Sequence, residues 1–496
     1  MCLFALIQSL SILSKPCLVG VTRSGNKLGI SIPKSSAMRN LPRSVIRVTI
    51  QNQSGQSSFM ALAADWITVP SKICSDLSIR YGESLSVLEF KTIKPHLRKP
   101  FKVEDDKVDM LSLIPPTSGN GYPIYVDEHE KAGESWLRVW YYHTRGAARQ
   151  TELKRYVDIS KLGQLLGQLQ AEGNKKGSAI VFKNSSISEH ADFVTALREL
   201  GISPPNIRGR CIFNPNKSTP RDVKRYSDAY KKATDTRISS FDECAAMKGA
   251  IVVDTYVRSA VLTAILISAM NETRRGHYDD QELRQPFLAK LLNGDGTLDA
   301  RKTSRRLDVR LKIVDQNMEY LRDYATLLTK EGFRAKVLPE KITVRAYCTW
   351  LNLITLYRID AFRGNSNWIK LLCSMKIALD GRETRGYKRI QELSNSKAIT
   401  SRDVCFRYDI GNRAANLWLV RMKRLRLIER LESVDKHRCT KYRTTGYGRT
   451  ICATIAEMER DYRKISFEKN SEDAETILKE VKVKGACNSR STEECT

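Results

Sequence analysis

The sequence predicts an α+β protein built from two similar halves, with a β-rich domain before them and a small helical domain after. Three observations predict it. Two apolar runs, LGQLLGQLQAEG at 162–173 and FLAKLLNGDG at 287–296, each close on a small residue, an acid and a glycine. These endings are Ala171-Glu172-Gly173 and Gly294-Asp295-Gly296, and their acids stand 123 positions apart, about one small domain. After the second run, strands of strict period 2 alternate with amphipathic helices, the pattern of half-buried sheet and covering helix. Two like units pack as a pseudo-two-fold pair, which makes a monomer the expected state and brings the two acids together.

Charge bounds the partner. Lys+Arg is 83 against Asp+Glu 55, a formal net charge of +28 over 496 residues. Such a surplus on a folded chain favours a polyanion, and no long basic amphipathic helix argues for a membrane surface. The 12 cysteines are scattered with no CxxC pair or zinc spacing, so reduced thiols and a cytoplasmic location are expected. The apolar start, MCLFALIQSLSILSKPCL, has no basic flank and is too short to span a bilayer; a poorly structured start is expected there.

Residues 1–93 form the β-rich domain. LGISIPK at 28–34, a short helix candidate and VIRVTI at 45–50 make one passage; WITVPSK at 66–72, a helix over 73–79, a Tyr81-Gly82 turn and SLSVLEF at 84–90 make another. Each reads as strand, Pro-started turn of helix, strand. The pair resembles the AbrB-like swapped-hairpin DNA-binding domains. Residues 94–159 read as linker and hairpin. Pro115-Pro116, Gly119 and Gly121 mark the loop; 136–143 and 150–157 are the strands.

The first half spans 160–276. After its motif helix come a strand at 178–183, a helix at 188–200, a strand at 206–213, a basic helix at 220–233, a strand at 250–256 and a closing helix at 257–270. The second half, 277–380, is cleaner. A hairpin over 297–302 and 305–313 leads to a helix at 317–331, a second hairpin over 334–338 and 342–347, and helices at 350–362 and 367–379. In RRLDVRLKI, Arg306, Asp308, Arg310 and Lys312 alternate with Leu307, Val309, Leu311 and Ile313, so one face is charged and the other apolar. Arg306, Arg310, Lys312, Arg334, Lys336 and Arg345 would thus face a nucleic acid, reaching phosphates and base edges.

The two motif runs resemble those of the LAGLIDADG homing endonucleases, in their two-motif, single-chain form. The resemblance covers roughly residues 150–380. It implies two α-β-β-α-β-β-α units, and it implies that Glu172 and Asp295 are catalytic acids. They would bind Mg²⁺ (or Mn²⁺), with Ala171 and Gly294 in the same metal site and Gly173 and Gly296 turning the chain from helix into sheet. Each acid would serve one strand of a DNA duplex, giving a double-strand cut with a short 3′ overhang. Lys183, Lys312 and Lys376 are candidates for the basic groups near the attacking water, and Lys183 also for DNA contact. Three departures are visible. Lys290 stands where the family prefers a small residue, which predicts looser helix packing. Asn293 replaces a common acid. The first half has little room for a leading hairpin at 174–177.

Residues 384–463 resemble a winged helix-turn-helix. A first helix at 387–395, a second opened by Thr400-Ser401-Arg402-Asp403, a turn at Asp409-Ile410-Gly411 and a third helix at 412–425 precede wing strands at 427–431 and 441–444, with His437-Arg438 at the tip. Asn412, Arg413, Asn416 and Arg421 are its DNA-contact candidates, with Lys423 and Arg424 beside them. Residues 464–496 are a polar tail. Three functions fit this reading: a site-specific endonuclease acting on double-stranded DNA, a non-catalytic DNA-binding regulator on the same fold, and an RNA-binding intron maturase. The chain ends Glu-Glu-Cys-Thr, without the His-Asn of a splicing intein.

Overall fold

A computed structural model describes residues 17–25, 27–31, 45–62, 66–142, 148–173, 177–302, 307–380, 398–431 and 440–468. The protein is mixed α+β, with twelve helices and several small sheets among the described residues.

The first domain has a core of its own. Strands β1 (Cys17–Ser24), β2 (Lys27–Ser31), β3 (Val45–Asn52), β4 (Gly55–Leu62), β5 (Trp66–Thr68) and β6 (Ser84–Thr92) form one antiparallel sheet in the order β4-β3-β6-β1-β2-β5. Strand β1 pairs with β6 through Cys17–Gly20 and with β2 through Val21–Ser24, so it bridges the two halves of the sheet. Ile46, Val48 and Ile50 alternate into the core with Val19, Val21, Leu85 and Val87. Helix α1 (Ser71–Asp76) starts after Pro70 and joins β5 to β6, as the second passage predicts. The helix candidate of the first passage lies outside the described residues. The β3–β4 hairpin is an addition to the sequence reading.

Residues 94–134 are not a linker. Strands β7 (Val103–Glu104), β8 (Lys107–Asp109), β9 (Tyr125–Lys131), β10 (Glu134–Tyr142), β11 (Ala148–Lys154) and β12 (Tyr156–Asp158) form two three-stranded sheets. Val108, Met110, Leu111, Leu113, Ile114 and Ile124 belong to the same core as the motif helices. The prolines and glycines punctuate turns between short strands, and the burial of these apolar side chains holds the module in place.

The first half runs α2 (Ile159–Glu172), β13 (Ile180–Asn184), α3 (Ile187–Glu199), β14 (Ile207–Phe213), α4 (Pro220–Thr234), β15 (Ile238–Glu243), β16 (Ile251–Val257) and α5 (Ala260–Arg274). The second runs α6 (Gln281–Asp295), β17 (Gly296–Lys302), β18 (Leu307–Val314), α7 (Met318–Lys330), β19 (Arg334–Leu338), β20 (Thr343–Cys348), α8 (Trp350–Arg358) and α9 (Ser366–Asp380). Its sheet order is β17-β18-β20-β19, against β13-β16-β14-β15 in the first half.

The two sheets correspond strand by strand with one offset. Gly173 bridges Phe182 as Gly296 pairs with Ile313. Phe182 faces Thr255 as Ile313 faces Val344, and Gly209 faces Thr255 as Val337 faces Val344. So β13, β16 and β14 match β18, β20 and β19. Among the described residues the counterpart of β17 is the Gly173–Phe182 bridge, with 174–176 outside them, and the second half runs in the order α-β-β-α-β-β-α. At the far edge the first sheet gains β15, parallel to β14, after the capped helix α4. Sequence reading missed β15, because its ISSFDE carries little apolar alternation.

Helices α10 (Ser401–Tyr408) and α11 (Asn412–Arg424), strands β21 (Ile428–Arg430) and β22 (Tyr442–Thr444), and the long helix α12 (Gly446–Glu468) follow. Thr400 and Asp403 form a capping box on α10, as its sequence predicts. The expected first helix at 387–395, the wing tip and the tail beyond 468 lie outside the described residues. Helix α12, absent from the sequence reading, packs on α8 and α9, where the Tyr357 hydroxyl donates to Asp461 at 2.9 Å.

Candidate active site and nucleic-acid interface

The site is built by two glycines. An added Cβ at Gly163 would stand 2.5 Å from the Leu283 carbonyl oxygen, and one at Gly167 2.3 Å from that of Phe287. The nearest side-chain carbons there are Cβ of Pro286 and Cβ of Lys290, at 3.2 and 2.9 Å. At the end of the helices, a Cβ on Gly294 would lie 2.6 Å from Ala171 Cβ. The contacts advance in the same direction along both chains, so α2 and α6 are parallel and in backbone contact. Gly163, Gly167 and Ala171 each meet the residue 123 positions later: Pro286, Lys290 and Gly294. The helices thus cross on a local two-fold, and their C-terminal ends coincide.

That crossing sets Glu172 beside the residue that precedes Asp295. Glu172 Oε1 lies 3.4 Å from the position a Gly294 Cβ would take, next to Asp295. Both helices end the same way. Gly173 has φ −85°, ψ 148°, and Gly296 has φ −87°, ψ 144°. Both glycines turn the chain from helix into sheet as expected, with angles that any residue adopts. What excludes a side chain is crowding: a Cβ would meet the carbonyl oxygen four residues back at 2.4 Å from Gly173 and 2.5 Å from Gly296.

The expected looseness at Lys290 is also corrected. Gly167 on the facing helix supplies the missing space, and the Lys290 stem runs outward to α3. Its ammonium donates to Glu189 at 3.0 Å and to Asp192 at 2.7 Å. Burial alone would lower this lysine; the two carboxylates outweigh it and hold it above its usual range. Glu189 also accepts from Gln168 at 2.8 Å. Asn293 is structural, since its side-chain oxygen accepts the Phe362 N–H. On the other side, Gln170 donates to the Tyr324 hydroxyl at 2.7 Å, which in turn donates to Asp315 at 3.2 Å. Burial and then the charges of Asp315 and Asp295 raise the Tyr324 phenol. Each motif helix is therefore hydrogen-bonded into the opposite half.

Glu172 stands at the edge of a cleft of about 790 Å³, lined also by Lys183, Arg210, Asp254, Tyr256 and Arg258. Burial, and secondarily the Glu189 charge, pushes its carboxyl up from the ordinary range. A neighbouring cation would reverse that shift. The donor set suits a hard divalent ion. Two carboxylates sit where two helices end together, and helix C-termini present unsatisfied carbonyls and partial negative charge. The carbonyls of Ala171 and Gly294 belong to those last turns. Among the described residues no group of three or more His, Cys, Asp or Glu side chains gathers to hold a metal. The pair would hold Mg²⁺ together with water and phosphate oxygens, the ordinary arrangement for that ion.

The open faces of the two sheets differ in charge. In the second, Thr297, Lys312, Arg345 and Lys336 form one cross-strand row, and Asp299, Arg310, Tyr347 and Arg334 the next. Arg310 pairs with Asp308, and Lys312 with Asp299 at 3.0 Å. Arg334 and Lys336 are exposed without such partners among the described residues. Arg306 lies outside the described residues. In the first sheet one row is Lys183, Asp254, Arg210 and Ser240; beside it stand Val181, Tyr256 and Arg208. Arg210 binds Asp254 at 2.6 Å. Exposed Lys183 and Arg208 complete a thinner basic face, with Arg258 over the Tyr256 ring at 5.5 Å. Lys183 occupies the register of Val314 and not that of Lys312, so the two candidates are not a matched pair. Arg208, Arg210, Tyr256 and Arg258 were missed, although the period 2 of Arg208-Gly209-Arg210 signals a face. Lys376 is half-buried on α9.

On α11, Asn412, Arg413, Asn416 and Arg421 are all exposed, while Ala415, Leu419 and Met422 are buried. Cys211, Cys373 and Cys452 are free, buried thiols. Burial pushes Cys211 and Cys373 up to about 11, so both stay protonated near neutral pH. Among the described residues no helix is long and apolar enough to cross a membrane. No protein-family model matches the chain, and no curated protein matches it.

Proposed function

We propose that this protein is a site-specific, Mg²⁺-dependent DNA endonuclease of the LAGLIDADG type, with two pseudo-symmetric units and a C-terminal winged helix-turn-helix. The observation that carries the reading is the parallel crossing of α2 and α6, which sets Glu172 against Gly294-Asp295 where two helices end. An acid at the end of each of two paired helices, with basic sheet faces beside them, suits metal-dependent phosphodiester hydrolysis. The basic rows on the two sheets track the phosphates and orient the duplex over the acids. Glu172 and Asp295 would hold the cation, with the packed glycines keeping the two helix ends in register. When bound, the metal supplies an activated water and charge stabilisation at the scissile phosphate. The unequal sheets favour an asymmetric site, with more of the contact on the second half.

Cleavage of a pooled random-site duplex library tests this, with Mg²⁺ present or chelated, for the wild type, Glu172→Gln and Asp295→Asn. Metal-dependent cutting at one long site, with one or both strand cuts lost in each variant, is expected. Tight specific binding without cutting, unchanged by either substitution, would instead identify a non-catalytic regulator. Preference for structured RNA over every duplex would identify an RNA-binding maturase.

A further inference from the structure

Helix α11 carries more than charge. Leu417 is 64% exposed and Val420 44% exposed, on a helix whose remaining outward residues are polar, basic or small. At 100° per residue, Arg413, Leu417, Val420 and Arg424 fall within an arc of about 60°. That arc lies opposite Ala415, Leu419 and Met422, which bury α11 against the rest of the unit. The two apolar side chains therefore occupy the centre of the outward face. Asn416 stands on one flank and Arg421 on the other, and the helix holds no acid.

An apolar pair framed by arginines does not match an ordinary solvated face, which would carry polar residues at its centre. Nor does it match an acidic protein surface, where a branched aliphatic pair gains nothing from charge. It matches the major groove of DNA. There the thymine C5-methyl is an apolar group on a base edge, surrounded by phosphates and by the guanine acceptors that arginine reads. We infer that Leu417 and Val420 read thymine methyl groups, so that the C-terminal unit selects T-containing major-groove sequence and rejects RNA, whose uracil lacks the methyl. This rests on the duplex-DNA reading above and adds its specificity determinant.

The test uses the full chain and duplexes selected by it from a random pool, resynthesised with thymine or with deoxyuracil at each position of the footprint. Burying one methyl corresponds to about a fourfold affinity difference. Wild-type protein is expected to lose about that factor for each thymine read. The L417A/V420A double variant should bind thymine and deoxyuracil duplexes equally at those positions, while keeping its phosphate contacts and salt dependence. Both residues are exposed, so folding is unaffected, and the wild-type comparison needs no variant. Equal affinity of the wild type for both duplexes would overturn the inference while leaving DNA binding intact. So would a thymine preference that persists in the double variant. Failure to select any duplex would overturn the duplex-DNA reading, and this inference with it.

Discussion

Gly167 is a position where one methyl group should strike directly at the pairing of α2 and α6. A Cβ there would stand 2.3 Å from the Phe287 carbonyl oxygen and 2.9 Å from Lys290 Cβ. Ordinary carbon contacts lie at about 3.5 Å, so α2 and α6 must part by on the order of 1 Å to admit it. The obstacle is helix backbone, which cannot rotate aside as a side chain can. Overpacking of this kind costs about 1–3 kcal/mol, and Gly167→Ala should fall in the upper part of that range even though alanine favours helix by about 1 kcal/mol. Gly163→Ala meets Leu283 O at 2.5 Å and should behave alike. The double variant should cost less than the sum, because a pair already parted admits the second methyl cheaply. Gly119→Ala, with nothing within 4 Å and no positive φ, is the control. Urea unfolding of the wild type and the four variants measures this. Stability of Gly167→Ala within 0.5 kcal/mol of wild type, as for ordinary surface changes, would refute the backbone contact, and strict additivity would refute a shared helix separation.

Two further outcomes follow from charge. Glu172 is raised in the folded state, so its ionised form opposes folding above that raised value, and the penalty vanishes below the ordinary carboxylate range. Because Glu172 is also exposed to solvent, which weakens the penalty, Glu172→Gln should raise the melting temperature only slightly at neutral pH without metal and leave it unchanged in acid; a loss at neutral pH would overturn the assignment. Lys290 is held above its ordinary value, so its contribution is complete below that value and is lost as pH rises through the folded one. Lys290→Met should flatten the alkaline limb of the stability profile, and an unchanged limb would show that the Glu189–Asp192 pairing contributes nothing.

The second half was legible almost element by element because its strands bury one face only. Period 2 in LDVRLKI and a capped amphipathic helix after Asn317 leave few alternatives. The first half was less legible for the converse reason. Among its described residues the leading pairing is the Gly173–Phe182 bridge, and β15 pairs in parallel through residues with little apolar pattern. The hairpin over 136–143 and 150–157 is present as β10 and β11, whereas 94–134 was read as a linker because turn-forming residues separate strands as short as two and three residues, where no period can be counted. In the site, the two acids were visible from their repeated setting. The role of Lys290 was not, because its partners lie about a hundred positions away on α3. Sequence marked Lys290 as an intrusion, whereas the facing glycine makes room for it. The apolar centre of α11 was hidden among residues chosen for their charge.

The parallel glycine contact also sets a timetable. The ribosome adds about 5–20 residues per second, so α6 follows α2 by roughly 6–25 s. The first domain, with a core wholly its own, can finish within that interval. Helix α2 cannot, because the face bearing Gly163 and Gly167 fits only a backbone that has not yet been made. Until then that face is a ready seat for the same helix of a neighbouring nascent chain on the same message. Slowing translation between residues 173 and 281 should therefore increase intertwined dimers at the expense of monomer.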